Sequence, residues 1–329
     1  MSSVVIAGTG SYVPDKVVTN EDMAKIVDTN DEWILTRTGI CERRFASDEE
    51  AASDLGIEAS RRALADAGMD ASELDAILVA TCSGDMIFPN TASIIQHAIG
   101  ARKAFCLDLS AACSGFIFAL KVAKDMIRGG SERTILVVGA EKMSTLLDWE
   151  DRNTCILFGD AAGAAVLTLS DEPDTGLLVE RLASDGSLGD LLNVPGGGSR
   201  TPMSEQVLAD RMHCIKMQGR EVFKHAVVNM TQAALDICEA AGLHPDDIAC
   251  YIPHQANVRI LCAIQDRLKQ PEEKFFVNLH KYGNTSAASV IVALDEAVKS
   301  GRVKTGDRVM LAAFGAGFTW GACILIWTR

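Results

Sequence analysis

Three segments of this 329-residue chain recur, in the same order, about 170 to 175 residues further on. Ala67-Gly-Met, followed by Leu74-Asp-Ala-Ile-Leu, resembles Ala241-Gly-Leu followed by Asp246-Asp-Ile-Ala-Cys. Phe105-Cys-Leu-Asp-Leu109 resembles Phe275-Phe-Val-Asn-Leu279, and Arg133-Thr-Ile-Leu-Val-Val resembles Arg308-Val-Met-Leu-Ala-Ala. One such match is at chance level; three collinear ones point to a duplicated unit. Short apolar runs such as Ala76–Ala80, Ala104–Leu109 and Thr134–Gly139 alternate with helical patterns, which is the signature of α/β architecture. The expected fold is two βαβ-rich halves, 1–172 and 216–329, about a pseudo-twofold axis with a site near the axis. Between them, 173–215 is rich in Gly, Ser, Pro and Asp, and reads as a connecting loop-rich segment with a short hairpin.

Composition narrows the function classes. Apolar residues at 48% and charged residues at 23% exclude disorder, collagen and coiled coil as the main architecture. No apolar run approaches the ~20 residues of a membrane helix, and the opening residues lack the basic and apolar regions of an export signal. A formal charge of −13 gives nucleic-acid binding no global electrostatic support, so any anionic partner needs a local basic patch. The ten cysteines form no Cys-x-x-Cys pair and no zinc spacing. They read as reduced core thiols of a cytoplasmic protein, with at most one or two chemically special.

Cys113 is the candidate nucleophile. It lies in Leu109-Ser-Ala-Ala-Cys-Ser-Gly115, between a strand and the helical pattern that starts at Phe116. A thiol at a helix N-terminus faces unpaired amides, which lower its pKa from about 8.5. Small neighbours leave room for a substrate. On this feature alone a buried structural cysteine is equally compatible, and Cys106, inside its strand, is one. His254 follows a strand end in Tyr251-Ile-Pro-His, and Asn284 lies in His280-Lys-Tyr-Gly-Asn-Thr-Ser286. Taken singly, they read as a satisfied histidine and a turn asparagine. The repeat changes this, because Leu109 aligns with Leu279 and places Cys113 and Asn284 just beyond equivalent strand ends. A thiol, an imidazole and a carboxamide around one point suit acyl-thioester chemistry.

Other motifs are weaker. Gly8-Thr-Gly10 and Gly315-Ala-Gly317 cannot open a βαβ unit, so a dinucleotide site is not expected; Gly315–Gly317 instead suits close backbone approach to a site. Thr29-Asn-Asp-Glu32 reads as a capping box before a short helix stopped by Gly39. Trp33 and Arg37, four apart on that helix, either hold a nucleobase and its phosphates or pack as core and salt bridge. The helical regions around Arg220 and Lys224, and from Val258 to Lys269, are either basic docking faces or ordinary solvated ones.

Read together, these residues resemble the β-ketoacyl-[acyl-carrier-protein] synthase III family of thiolase-like condensing enzymes, over essentially the whole chain. The most specific segments are Asp31–Ile40, Ser110–Gly115, Phe158–Ala164, His254–Arg259, Tyr282–Ser286 and Gly317–Gly321. The resemblance implies an α-β-α-β-α layered homodimer with a Cys113, His254 and Asn284 triad and no metal or other cofactor. It implies that Trp33 and Arg152 sandwich the adenine of coenzyme A, with polar contacts from Thr29 and Arg37, and that Asn257 lines the pantetheine channel. Gln255, Ala256, Asn257, Val258 and Arg259 would meet the acyl carrier protein (ACP), helped by Lys224. The backbone amides of Cys113 and Ala316 would form the oxyanion hole; the family's Gly-Gly-Gly turn contains Ala316 here, which would be strained if its φ had to be positive. Phe88 (from the partner subunit), Met143 and Phe158 would bound the acyl pocket, with acetyl-CoA as the favoured starter. The implied reaction joins acyl-CoA and malonyl-ACP into 3-oxoacyl-ACP, CO₂ and CoA through an acyl-cysteine. The alternatives are a related ketosynthase of secondary metabolism with another starter, and a CoA- or ACP-binding protein without turnover.

Overall fold

The computed structural model describes residues 3–329. Two sheets carry the fold. The first has five strands: β1 (Ser3–Tyr12), β4 (Ala76–Ala80), β5 (Phe105–Leu109), β6 (Thr134–Glu141) and β7 (Ala161–Ser170), in the spatial order β1-β7-β6-β4-β5. The second has four: β8 (Gly176–Ser184), β11 (Cys250–Pro253), β12 (Arg308–Gly315) and β13 (Thr319–Ile326), in the order β11-β12-β13-β8. Short strands β2 (Val17–Thr19) and β3 (Glu42–Arg44) pair with each other, as do β9 (Leu192–Asn193) and β10 (Lys216–Met217). The duplication is visible in the strand orders: β1, β7, β6 and β4 correspond to β8, β13, β12 and β11. The parallel pairs β4–β6 and β11–β12 occupy equivalent places.

Every central strand is buried on both faces, and alternation sorts its side chains between two cores. In β4, Ala76, Leu78 and Ala80 face the space between the sheets, while Ile77 and Val79 face outward. In β12, Val309, Leu311 and Ala313 face the same central space, while Met310 and Phe314 face away. Helices α5 (Gly115–Gly129) and α10 (Ala288–Lys299) fill the central layer. Helices α3 (Ala52–Ala67) and α4 (Thr91–Ile99) cover the outside of the first sheet, and α7 (Gly219–Ala240), with α8 (Val258–Leu268) against it, covers the second. The layering is therefore α-β-α-β-α. The helices α1 (Asn20–Ala24), α2 (Asp31–Thr38), α6 (Glu205–Ala209) and α9 (Leu279–Tyr282) lie in connecting segments. Gly139 is needed where α10 crosses β6: a Cβ there would sit 2.6 Å from the Ala287 carbonyl oxygen.

Three expectations are corrected. The segment 173–215 is not merely loop with a hairpin. It holds β8, a full strand of the second sheet that pairs with β13, so the second half begins near Gly176. Gly-Leu-Leu-Val-Glu-Arg-Leu carries strand-forming residues, but the turn residues on both sides of it masked the run. The counterpart of β5 is reduced to one bridge, Tyr251 to Phe275. Finally, Asn30, not Thr29, caps α2: its side chain accepts from the Trp33 amide. Gly39 ends that helix at φ 76°.

Candidate active site

Cys113 occupies a tight turn, Ala112–Ser114, between β5 and α5, as its flanking pattern predicts. The preceding Ala112 has φ 45°, a left-handed conformation in which a Cβ is strained and which persists only where surroundings over-determine it. What over-determines it is the β12–β13 turn. A Cβ on Gly315 would lie 2.7 Å from the Cys113 amide nitrogen, so only glycine lets this backbone reach the nucleophile. Ala316 is not among the residues with positive φ, so the turn accepts alanine there without strain.

His254 follows β11, held by its amide donating to the Ala312 carbonyl at 2.7 Å. Its Nδ1 lies 2.6 Å from the Ser289 hydroxyl of α10. Asn284 is fixed by backbone bonds on both sides: its amide donates to Leu157 O at 2.8 Å, and its carbonyl accepts from Gly159 at 3.0 Å. Its Oδ1 accepts from the Ser286 amide at 2.9 Å, which leaves the carboxamide NH₂ as the free donor. Cys113, His254 and Asn284 are 8%, 3% and 7% exposed, and all three line one cleft of about 1220 Å³. The expected convergence is thus present.

The expected helix-end lowering of the thiol meets an opposing effect. Burial pushes the Cys113 thiol up to about 12, with the Glu141 carboxylate adding to the effect and the Ser286 hydroxyl opposing it. Removal of the sulfur from water disfavours its charged form. Burial likewise lowers His254 to about 4, so the imidazole is neutral. Both shifts favour the uncharged forms, a thiol and a neutral ring.

The remaining predicted residues divide. Met143 and Phe158 are buried and line the cleft near Cys113. Trp33 lies at the mouth, with the Arg37 and Arg152 guanidinium carbons 4.7 Å and 5.0 Å from its ring centroid. Arg37, Arg220 and Arg259 line the same cleft, a local positive rim in a chain of net charge −13. Asn257 caps α8 and donates from its Nδ2 to Arg37 O at 3.1 Å, and Ala256 lines the cleft beside it. Thr29 has a buried hydroxyl with no partner. Val258 packs over Gly39. Gln255 does not fit a docking role: it is 1% exposed, and its side chain is tied to Pro253, Phe276 and Asn278. Lys224 is exposed beside Glu221, away from the cleft lining. Phe88 is 82% exposed and does not line the cleft of its own chain. Sequence reasoning missed Cys82, which lines the cleft and donates to Glu141 at 3.3 Å, and Ser289. The signal for Ser289 was a serine inside the otherwise apolar start of α10.

Two family models match, 3-oxoacyl-[acyl-carrier-protein] synthase III over residues 107–186 and its C-terminal counterpart over 238–327. The beta-ketoacyl-[acyl-carrier-protein] synthase III of Caldanaerobacter subterraneus subsp. tengcongensis is 51% identical, over 98% of both chains. The chain belongs to this synthase III family. Its members are condensing acyltransferases, and the duplicated, five-layered architecture is their thiolase-like fold. The crystal structure of the Aquifex aeolicus family member superposes with a TM-score of 0.92 at 46% identity, covering 99% of this chain and 100% of that one. The priming β-ketosynthase of the R1128 polyketide pathway superposes at 0.91 with 38% identity, covering 99% of this chain and 97% of the other.

Proposed function

We propose that this enzyme carries out the initiating condensation of fatty acid synthesis, with acetyl-CoA as starter and malonyl-ACP as extender. The observation that carries the reading is a cleft with Cys113, His254 and Asn284 at its closed end and an aromatic, arginine-rich mouth. Cys113 sulfur attacks the thioester carbonyl, and the thiol proton ends on the departing CoA sulfur. The oxyanion rests on the Cys113 and Ala316 amides. The neutral His254 and the Asn284 NH₂ then donate to the malonyl thioester oxygen as CO₂ leaves; the resulting enolate carbon attacks the acyl-cysteine carbonyl, the carbon–sulfur bond breaks, and the released Cys113 sulfur takes up one proton from solvent to restore the thiol. A donor is what this step needs, and a neutral imidazole with a pinned carboxamide supplies two. Trp33, Arg37 and Arg152 take the nucleotide end of CoA, with Thr29 beside them; Arg152 leaves its own stack on Trp33 to admit the base. The test is incubation with acetyl-CoA and malonyl-ACP. The expected products are CO₂ and 3-oxobutyryl-ACP by mass; absence of both sinks the reading. The likeness to a polyketide priming enzyme supports a second reading, in which another starter outcompetes acetyl-CoA in the same assay.

Arg259 is the cation of the α8 face that reaches solvent at the cleft mouth, and it is the proposed contact for the acidic carrier. Arg259→Glu is expected to weaken malonyl-ACP use while leaving acetyl transfer nearly intact. The difference should shrink as salt rises, because screening acts over about 8 Å at physiological ionic strength. Unchanged apparent affinity for malonyl-ACP at low salt would refute the contact.

A second copy of the chain is the proposed partner of the first sheet's edge. Strand β5 pairs on one side only, with Phe105 and Leu107 partly exposed, and the nearby Met86, Ile87 and Phe88 are more exposed still. Such an edge invites pairing, and exposed apolar side chains clustered beside it favour a protein partner. Phe88 then closes the partner's acyl pocket. Overpacking costs about 1–3 kcal/mol, which corresponds to roughly ten- to a hundredfold against longer chains. Phe88→Thr is expected to raise octanoyl-CoA use by about that factor; a wild type that already prefers octanoyl-CoA contradicts this role.

A further inference from the structure

The mechanism needs His254 to donate from the nitrogen that faces the substrate, yet a neutral imidazole carries one proton and two candidate sites. The geometry points to Ser289 as the positioning residue that fixes both the ring and its tautomer, by donating its hydroxyl proton to His254 Nδ1. This rests on the donor role proposed for His254. The two atoms are 2.6 Å apart, His254 and Ser289 are 3% and 2% exposed, and neither group has water as a ready substitute partner. Among the described residues, Nδ1 is the only hydrogen-bond partner of the Ser289 hydroxyl, and no protein group bonds Nε2. A serine in a helix commonly turns its hydroxyl back to the carbonyl four residues earlier. Here the hydroxyl turns to the imidazole instead. With Nδ1 accepting, the proton sits on Nε2, the nitrogen left for the cleft that His254 lines.

Ser289 also links two parts of the fold. It stands on α10, in the central layer, whereas His254 follows β11 of the second sheet. The same α10 begins four residues after Asn284, whose own backbone is held by Leu157 and Gly159. The expected consequence of Ser289→Ala is a ring still near its place but without a set tautomer. Loss of an imidazole's orienting partner costs up to about 10⁴ in rate where that partner is a buried carboxylate, and a hydroxyl should matter less.

The test combines nitrogen-15 spectroscopy of His254 with rates of ¹⁴CO₂ release from labelled malonyl-ACP. In the wild type, Nε2 is expected to be protonated and Nδ1 bare. In Ser289→Ala the two tautomers should mix, and CO₂ release should fall about ten- to a hundredfold, more than acetyl transfer to Cys113 falls. Ser289→Thr, which keeps the hydroxyl, should restore both signals. A wild-type ring protonated on Nδ1, or an Ala variant with an unchanged tautomer and unchanged CO₂ release, overturns the assignment. His254→Ala separates the two levels: if it retains CO₂ release, the donor role itself fails, whereas its loss together with an unaffected Ser289→Ala removes only Ser289.

Discussion

Cys113→Ala is expected to abolish covalent capture of the acetyl group from acetyl-CoA, whereas Cys106→Ala should keep it. Both thiols belong to the same strand-turn-helix unit, seven residues apart, but their surroundings differ. Cys106 lies within β5 and is not part of the cleft lining. Cys113 lies in the turn, beside the Gly315 backbone that brings the neighbouring Ala316 amide close. Its raised pKa does not argue against this role, because the proton leaves with CoA and burial prevents competing reactions of a free thiolate. Cys82→Ala is the stricter control, since Cys82 is the other thiol that lines the cleft. Intact-protein mass and peptide mapping after acetyl-CoA treatment check the prediction. A label on Cys82 or Cys106, or one that survives Cys113→Ala, would reverse the assignment.

His254→Ala and Asn284→Ala are expected to acylate but to release CO₂ about 10²–10³ more slowly, the usual cost of removing one donor to a developing oxyanion. In the proposed mechanism acyl transfer rests on backbone amides that neither substitution removes. In that mechanism the malonyl enolate, by contrast, relies on two side-chain donors, and each is held by a different part of the chain. Asn284 is pinned to Leu157 and Gly159, and His254 to Ala312 and Ser289. The effects should be less than additive, because one remaining donor cannot hold the thioester oxygen in place. Normal CO₂ release from either variant would exclude its donor role.

The duplication made much of this legible in advance. Three collinear segments yielded the two sheets and the convergence of Cys113, Asn284 and His254. What failed to follow from sequence has identifiable causes. Strand β8 was hidden because turn-forming residues flank it so closely. The β5 counterpart kept the sequence pattern but lost its ladder, since Phe275 retains a single bridge while the chain turns into α9. Helix-end position suggested an acidic Cys113; burial, which depends on how both halves pack, pushes the thiol the other way. Gln255 lies in a motif that suggests an exposed contact, yet its amide is used to hold Asn278. Ser289 could not be found by motif, because its partner is 35 residues away along the chain.

The central layer has a consequence for synthesis on the ribosome. The inner face of the first sheet is covered partly by α5 and partly by α10, and α10 ends at Lys299. When β7 has emerged, about 130 further residues must be translated before that cover exists, roughly 7–25 s at about 5–20 residues per second. During that time a row of side chains including Ala165, Leu167 and Val137, all buried in the finished protein, has only half its shelter. On this arrangement the first half is expected to emerge with part of its inner apolar face uncovered until the C-terminal helix arrives.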